Sequence, residues 1–370
     1  MQDAGWFPWA LLVFVSLLAY ANAWPDVLVF DDREFLASDR FDALGPSDFI
    51  RFFSQSLWEA GANAASLYRP MLLVSLGFEN LVFGDWYAGY HLANILRHAL
   101  AVLLVFGFIR EIFLLTGHDR PRAQWLALAA ALVFAVHPVL SDAVNSVFNG
   151  SDIYVAVFVV GGLWYLLAHY REKPLKAWAV AGLCYFVALL YKESAVAMPA
   201  LAVIAIWLTS TEVWKKRLAR VLPVLVLLVP LVAYLGMRAE ALEEFDSLAS
   251  RISFVSSAYA QEPASADTAR AASEATLREF GLTFDAGRTA LAVSMWFDAL
   301  RLMVWPHPLA TLREPSQTSF WLAAVAQVAL LGLCIFAWFR KRPEPILGLL
   351  FFYLAIRPAS RIVGEGALQP

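Results

Sequence analysis

The sequence predicts an all-α polytopic membrane protein, and its composition supports this class. Of the 370 residues, 60% are hydrophobic and 16% are charged, whereas soluble domains carry about 25% charged residues. The mean hydropathy is +0.61. Several apolar stretches approach or exceed the roughly 20 residues with which a helix crosses a bilayer. The two-residue alternation of a transmembrane barrel is absent, and the net charge of −3 without a basic block gives no support to nucleic-acid binding.

The apolar stretches predict about nine transmembrane helices. The predicted spans are 6–24, 88–113, 124–140, 153–169, 177–191, 195–210, 220–236, 320–339 and 346–356. Residues 1–5 lack the basic residues of a signal peptide, so we expect the first span to be retained. Cys184 and Cys334 both lie inside predicted spans, which argues against a disulfide framework.

The basic loops predict the orientation of these spans. Four clusters of cations follow alternate spans, and such clusters favour the cytoplasmic side. They are Arg110/Arg120/Arg122, Arg171/Lys173/Lys176, Lys215/Lys216/Arg217/Arg220 and Arg340/Lys341/Arg342. The chain is then a single transmembrane domain, 1–370, with a first outer loop at 25–87 and a large outer loop at 238–318. We expect amphipathic helices on the outer face at 47–59, capped by Ser47, and at 289–305.

Polar side chains collect on the predicted outer side. Asp31 and Asp32 follow the first span, where ionised groups are costly and tend to be functional. The other candidates in these loops and helix ends are Arg69, His91, His137, Asp142, Asp152, Lys192, Glu193, Arg301 and His307. Structural alternatives stay open for several of these groups. They are polar contacts between helices for His91, Asn94 and His98, a solvated hairpin with helix caps at Asp142 and Asp152, a marker of the interface for Lys192-Glu193, and interface anchoring around His307. Arg97 lies deeper in the second span and is expected either to snorkel to the interface or to pair with an acid.

These groups suit the transfer of a sugar from a lipid phosphate. Phosphate is already a good leaving group, so the reaction needs cations to hold it and a carboxylate to take a proton from the attacking hydroxyl. The apolar helices would receive the lipid tail, and the outer loops would meet the acceptor.

The motifs resemble the integral-membrane glycosyltransferases of the GT-C superfamily, most closely the protein O-mannosyltransferase-like group that includes the TMTC proteins and bacterial relatives. The motifs that carry the resemblance are Val29-Phe30-Asp31-Asp32, Tyr68-Arg69-Pro70-Met71, Tyr90-His91-Leu92-Ala93-Asn94 with His98, His137-Pro138-Val139 through Asp142, Tyr191-Lys192-Glu193, and Leu302 through Leu309. They are weak singly and specific together, and they imply a GT-C-type helical bundle.

The resemblance also implies roles for the outer residues. Asp31 corresponds to the base and Asp32 to its support, in an inverting transfer from a polyprenyl- or dolichyl-phosphate sugar such as mannose. Arg69, Lys192 and Arg301 are the candidates for binding the donor phosphate. The other outer residues are expected to line the substrate pocket. They are His91, His137, Asp142, Asp152, Glu193 and His307.

Two positions depart from the family pattern. Asp142 stands where the family often has Glu, and Gly150-Ser151-Asp152 lacks the Arg of a Gly-Arg-x-Asp pattern. The chain stops at Pro370, after what resembles the start of another outer loop, so we expect a truncated product.

Two other functions remain as alternatives: a transporter or flippase of a lipid-linked or small polar substrate, which Arg97 favours, and a non-catalytic membrane assembly protein. A divalent metal is also left open, because carboxylates with His137 would suit one. The acceptor is a hydroxyl of a protein, glycan or lipid, and membrane lipids surround the helices. The expected location is the bacterial inner membrane, with the active site on its outer, periplasmic face.

Overall fold

The protein is described here by a computed structural model. It describes residues 5–21, 28, 31–36, 39–41, 44–57, 67–210 and 212–242, with short helical pieces at 329–330, 332–333 and 336. Within this part the chain forms helices and turns and no strand, which confirms the predicted all-α class. The α-helices are α1 Phe7–Ala19, α2 Asp31–Leu36, α3 Pro46–Arg51, α4 Pro70–Phe83, α5 Tyr87–Leu115, α6 Arg120–Val136, α7 Ser141–Asn145, α8 Ser151–His169, α9 Pro174–Tyr191, α10 Met198–Thr209, α11 Trp214–Val221 and α12 Leu228–Leu242.

Among the described residues, four helical stretches are long and apolar enough to cross a membrane: Tyr87–Leu115, Phe148–His169, Pro174–Tyr191 and Trp214–Leu242. A fifth span is available if α6 is joined to the piece Pro138–Asn145, which is bent from it by 47°. The predicted spans 6–24 and 195–210 are shorter apolar helices, Phe7–Ala19 and Glu193–Thr209. Apart from the short pieces, the spans 320–339 and 346–356 lie outside the described residues, so the number nine stays a prediction.

Proline and glycine set several helix boundaries. Proline lacks an N–H and is tolerated in the first helical turn, and α4 and α9 both begin with one. After α4, Gly84 has a φ of +53°, a left-handed conformation that glycine adopts at little cost. The bend after α6 has the same kind of cause. His137 precedes Pro138 and takes an extended backbone conformation, which ends the helix.

The bundle centres on α8, which packs between α5 and α9, while α6 and α1 pack against α5. Small residues allow the close approaches that helix packing in membranes requires. A Cβ on Gly107 of α5 would lie 2.7 Å from the indole of Trp164 in α8. A Cβ on Gly162 of α8 would lie 2.8 Å from both Cys184 and Met198. The end of α8 that carries Ser151 is also the end of α9 that carries Tyr191, and six of the predicted site residues lie there.

The predicted amphipathic helix at 47–59 is wrong in its extent and its cap. Helix α3 ends at Arg51 and is followed by a 3₁₀ turn, Phe52–Ser54. The N-cap is Gly45, whose N–H donates to the Asp48 carboxylate at 2.9 Å, because an acid three residues after the cap reaches back to it. In this segment Phe52 is buried against the apolar side of α4, whereas Ile50 is exposed. The helix predicted at 289–305 lies outside the described residues.

Candidate functional site

Asp32 is a buried carboxylate that holds the loop between α7 and α8. Its side chain is 0% exposed. One carboxylate oxygen accepts from the Ser146 hydroxyl at 2.9 Å and from the Phe148 N–H at 2.8 Å, and the other accepts from the Val147 N–H at 3.0 Å. A buried carboxylate is tolerated when such donors surround it. This geometry suits a supporting role for Asp32 better than direct contact with substrate.

Asp31 begins α2 and directly precedes Asp32 in the chain. The helix was not anticipated, because the sequence was interpreted as a loop at this point. The Asp31 side chain lies outside the described part of the structure, so its role as the base stays a prediction.

The same loop is held from its other side by Asn94 of α5. The amide Nδ2 donates to the carbonyl of Ser146 at 2.8 Å and lies 3.4 Å from that of Val144. Gly150 makes room for this amide, since a Cβ there would lie 2.7 Å from Asn94 Oδ1. Asn94 was predicted as a polar contact between helices, and the structure shows that it supports the loop that Asp32 binds.

Arg69 and Glu193 form a partly buried ion pair with two hydrogen bonds. Arg69 is the N-cap residue of α4, and Glu193 follows α9. The guanidinium donates from Nε to Oε2 at 3.2 Å and from Nη2 to Oε1 at 3.1 Å. Burial acts to raise the pKa of the Glu193 carboxyl, but the charge and hydrogen bonds of Arg69 outweigh it and hold that pKa below its usual value. Arg69 was predicted to bind phosphate, and here its charge is directed at a carboxylate.

Lys192 pairs with Asp152 across the ends of α9 and α8. Its ammonium donates to the two carboxylate oxygens at 2.7 and 2.8 Å. The Lys192 side chain is 22% exposed and that of Asp152 is 47% exposed, so this pair is open to solvent and to ligands. No side-chain cap bond is made at the start of α8, so the capping alternative for Asp152 is wrong.

Asp142 lies beside the same pair, in the first turn of α7. Its carboxylate accepts from the Asn149 amide at 3.2 Å. Desolvation raises the pKa of the Asp142 carboxyl, and the charges of Asp152 and Asp32 act in the same direction, while the Asn149 hydrogen bond and Lys192 oppose them. The capping alternative is wrong here as well, because no side chain caps α7.

The structure therefore brings six of the predicted site residues to one end of the bundle. We call them the carboxylate cluster: Asp32, Arg69, Asp142, Asp152, Lys192 and Glu193. Asn149 donates to both Asp142 and the Ser146 hydroxyl that binds Asp32. Lys192 binds Asp152 and is adjacent to Glu193 in the chain. Four carboxylates and two cations thus lie together, whereas the loop pattern predicted only that they share one face of the membrane.

The two described histidines of the predicted site lie on α5 and at the end of α6. His91 is buried on α5, three residues before Asn94. His137 ends α6, and its Nδ1 accepts from the Val139 N–H at 3.3 Å, a local contact that orders the turn. Arg301 and His307 lie outside the described residues, and their roles stay predictions.

Glu79 was missed by the sequence interpretation. It lies on α4 and forms an ion pair with Arg97 at 2.8 Å, which confirms the expectation that Arg97 pairs with an acid. The signal was present, because Glu79 is the one acidic residue in the apolar sequence of α4. Within the described residues, no group of three or more His, Cys, Asp or Glu side chains is arranged to hold a metal ion.

Sequence comparison relates the chain to one group of membrane enzymes. Residues 70–236 match the family model of dolichyl-phosphate-mannose-protein mannosyltransferases. The protein O-mannosyl-transferase TMTC4 of Mus musculus is 30% identical over 164 residues, covering 40% of this chain and 22% of the relative. Tmtc2 of Drosophila melanogaster, also a protein O-mannosyl-transferase, is 28% identical over 196 residues, covering 49% and 20%. Human TMTC2 is 26% identical over 200 residues, covering 51% and 23%.

No solved structure matches the chain. The matched region spans about a fifth of the length of these curated relatives. These similarities confirm the resemblance predicted from the motifs. Together with the apolar helices, they identify an integral membrane protein whose central bundle is similar to the protein O-mannosyltransferase-like glycosyltransferases.

Proposed function

We propose that the protein transfers a sugar, mannose in the first instance, from a polyprenyl- or dolichyl-phosphate donor to a hydroxyl acceptor. The transfer inverts the anomeric centre and takes place on the non-cytoplasmic face of the membrane, in a bacterial inner membrane. The acceptor is a protein hydroxyl, by analogy with the printed names of the relatives.

One observation carries this proposal: the carboxylate cluster lies at a single end of a helical bundle that matches a mannosyltransferase family. Carboxylates and cations at the end of an apolar bundle supply the two kinds of group that the reaction needs. A carboxylate can take a proton, and the cations can attract a phosphate. The alternation of basic loops supports the outer face for this end.

In the proposed step, the acceptor oxygen attacks the anomeric carbon of the sugar as the bond from that carbon to the phosphate oxygen breaks. The Asp31 carboxylate takes the proton of the acceptor hydroxyl. The bonding electrons leave with the lipid phosphate, which needs no proton because it is a stable anion. Asp32 fixes the loop 146–148 through three hydrogen bonds, and so orders the surface next to Asp31.

The structure ranks the two described cations proposed for the donor phosphate. Lys192 is more exposed than Arg69, 22% against 8% for the side chains, and its partner Asp152 lies largely in solvent. A phosphate can therefore compete for Lys192 at small cost. Arg69 is committed to Glu193 by two hydrogen bonds, so we assign it to holding the start of α4. Arg301 stays a third phosphate ligand in the proposal.

The alternative of a transporter is weakened by the same structure. Arg97 favoured it as a charge deep in a span, but Arg97 is neutralised by Glu79. Paired charges within a span are also what a structural or binding role requires.

The test is transfer by the purified chain in liposomes with radiolabelled polyprenyl-phosphate mannose and membrane protein as acceptor. We expect label to pass from the lipid-extractable to the protein fraction, with nucleotide-linked mannose inactive. A parallel sample with a chelator decides whether a divalent ion takes part. Transfer from the nucleotide sugar alone, or from neither donor, would contradict the proposal.

A further inference from the structure

A buried polar network lies directly below the carboxylate cluster and has no part in the function proposed so far. Its centre is the ion pair between Glu79 of α4 and Arg97 of α5, at 2.8 Å, with side chains 12% and 14% exposed. Tyr154 of α8 contacts both: its hydroxyl hydrogen bonds to the Arg97 guanidinium and lies 3.4 Å from a Glu79 oxygen. Charges this deep are costly and call for an explanation.

The network has an aromatic wall. The rings of Tyr154 and Tyr191 stack with centroids 4.0 Å apart and planes 11° apart. The Tyr191 hydroxyl hydrogen bonds to Ser75 of α4 at 2.7 Å. The network thus joins α4, α5, α8 and α9, and Ser75, Glu79, Arg97 and Tyr154 each keep partial exposure.

Two atoms of the ion pair are left without hydrogen bonds. Within the described part of the chain, Glu79 Oε2 and Arg97 Nη2 are buried and have no partner. An unsatisfied buried polar atom costs about 1–3 kcal/mol, more when it is charged. A carboxylate oxygen only accepts and a guanidinium nitrogen only donates. A hydroxyl can donate to the first or accept from the second, so a ligand that carries hydroxyls can satisfy both.

The position of the network indicates which hydroxyl this is. Tyr154 follows Asp152 by two residues, or roughly 3 Å along a helix axis, and Tyr191 immediately precedes Lys192. The network therefore lies next to the cation that is proposed to meet the donor phosphate. A hexose attached to that phosphate brings several hydroxyls, and sites of this kind fix a ligand with a few placed polar groups beside aromatic rings.

We propose that Glu79 and Arg97 bind a hydroxyl of the donor hexose, with Tyr154 and Tyr191 as the wall of this sugar subsite. The inference rests on the proposed function, because it assumes a lipid-linked sugar at the carboxylate cluster. It adds the residues that recognise the sugar, as distinct from those that hold the phosphate or take the proton.

The test measures binding to the full chain in nanodiscs, with two probes: polyprenyl-phosphate mannose and sugar-free polyprenyl phosphate. The test variant is Glu79→Gln, and the matched control is Glu212→Gln, which removes an acid paired with Arg220 at 3.4 Å elsewhere in the bundle. We expect Glu79→Gln to weaken the mannosyl lipid about tenfold and leave the sugar-free lipid unchanged, since bonds to charged groups contribute about 1.5–3 kcal/mol. The control should change neither.

The outcomes separate the subsite from the proposed function. Equal weakening of both lipids, or no change in either, would refute the subsite, because a purely structural pair or a buried water predicts those results. If the wild-type chain binds the two lipids equally, the proposed function fails and the subsite with it. Should Glu79→Gln fail to fold, Tyr154→Phe is the second variant, because it removes only a hydroxyl. It is expected to lower the ratio of the affinity for the mannosyl lipid to that for the sugar-free lipid severalfold.

Discussion

The carboxylate cluster and the opposite, basic end of the bundle handle charge in different ways. In the cluster, two of the six charged groups are buried and matched: Asp32 has three hydrogen bonds and 0% exposure, and Arg69 has a two-bond carboxylate partner. At the basic end, Arg171 and Arg220 lie over the Tyr170 ring, at 5.5 and 5.9 Å. Arg220 also pairs with Glu212 at 3.4 Å, where both side chains are about one-third exposed.

This difference distinguishes the end that anchors the protein in the membrane from the end that is proposed to carry out the reaction. Cations near water lose little hydration, and each aromatic contact contributes about 0.5–1 kcal/mol. The basic end therefore orients the protein in the membrane at a small cost in free energy. Burying carboxylates costs several kcal/mol per ion unless partners compensate. The cluster meets this cost at Asp32 and keeps three further carboxylates at the same end, so it is the better candidate for a reaction site.

The largest expected effect is that of Asp32→Ala. It leaves the Ser146 hydroxyl and the N–H groups of Val147 and Phe148 without an acceptor, at about 1–3 kcal/mol each. We expect a loss of at least about 3 kcal/mol in unfolding free energy, seen as a lower melting temperature, and faster proteolysis within 138–150. Glu212→Gln serves as the control. An unchanged melting temperature for Asp32→Ala would show that the buried carboxylate does not hold the loop.

Arg69→Met should come next, because it leaves Glu193 buried without its cation. Breaking one side of a buried pair costs about 3–5 kcal/mol, and the 27% exposure of Glu193 favours the lower end. Glu193→Gln in the same background should restore part of the loss. The measurement is a thermal double-mutant cycle, in which additive effects would contradict the pairing.

The same pair predicts a pH dependence. Because the pKa of Glu193 lies below its ordinary 4.5, the pair stabilises the fold fully above that value and loses its contribution as the pH falls through the folded-state pKa. The gap in melting temperature between wild type and Glu193→Gln should hold near neutral pH and narrow below about pH 4.5. A gap that widens on acidification would reverse the sign and contradict this account.

Gly150→Ala tests whether the loop geometry matters for activity rather than for stability alone. Its Cβ would lie 2.7 Å from Asn94 Oδ1, and that of Gly107→Ala would lie 2.7 Å from Trp164. Overpacking of this kind costs about 1–3 kcal/mol at either site. We expect similar losses in melting temperature, with a clear fall in transfer rate only for Gly150→Ala. Equal transfer rates of the two variants, compared at the same folded fraction, would show that the loop geometry does not affect the reaction.

The smallest expected effect is that of the Lys192–Asp152 pair on stability. Exposed pairs are worth about 0.2–1 kcal/mol, so a thermal cycle of Lys192→Ala and Asp152→Ala should show weak coupling. Lys192→Ala should nevertheless weaken binding of polyprenyl phosphate severalfold. Unchanged lipid binding would remove Lys192 from the phosphate site.

The positions of the helices and the end at which the site residues lie were largely predictable from the sequence. The apolar stretches predicted the helices α5, α8 and α9 to within a few residues, since spans are set mainly by hydropathy and length. The loop charges predicted that Asp32, Asp142 and Asp152 would share one end. The order of the helices and the alternation of their direction decide which loops share an end, and both can be read from a single sequence.

The pairing within the site could not be predicted. Arg69 and Glu193 are 124 residues apart, and their contact depends on how α4 lies against α9. For the same reason Glu79 was missed and Arg69 was assigned to phosphate. At 47–59 local chemistry was misinterpreted, because Gly45 with Asp48 competed successfully with Ser47 as the cap.

The central claim is that the end of the bundle with the carboxylate cluster carries out sugar transfer, with Asp31 as its base. The most direct test compares Asp31→Asn with Glu212→Gln in liposomes containing radiolabelled polyprenyl-phosphate mannose. General bases contribute about 10²–10⁴-fold, so we predict at least a hundredfold loss of transfer for Asp31→Asn, with donor binding retained, and no loss for Glu212→Gln. Normal transfer by Asp31→Asn would contradict the account.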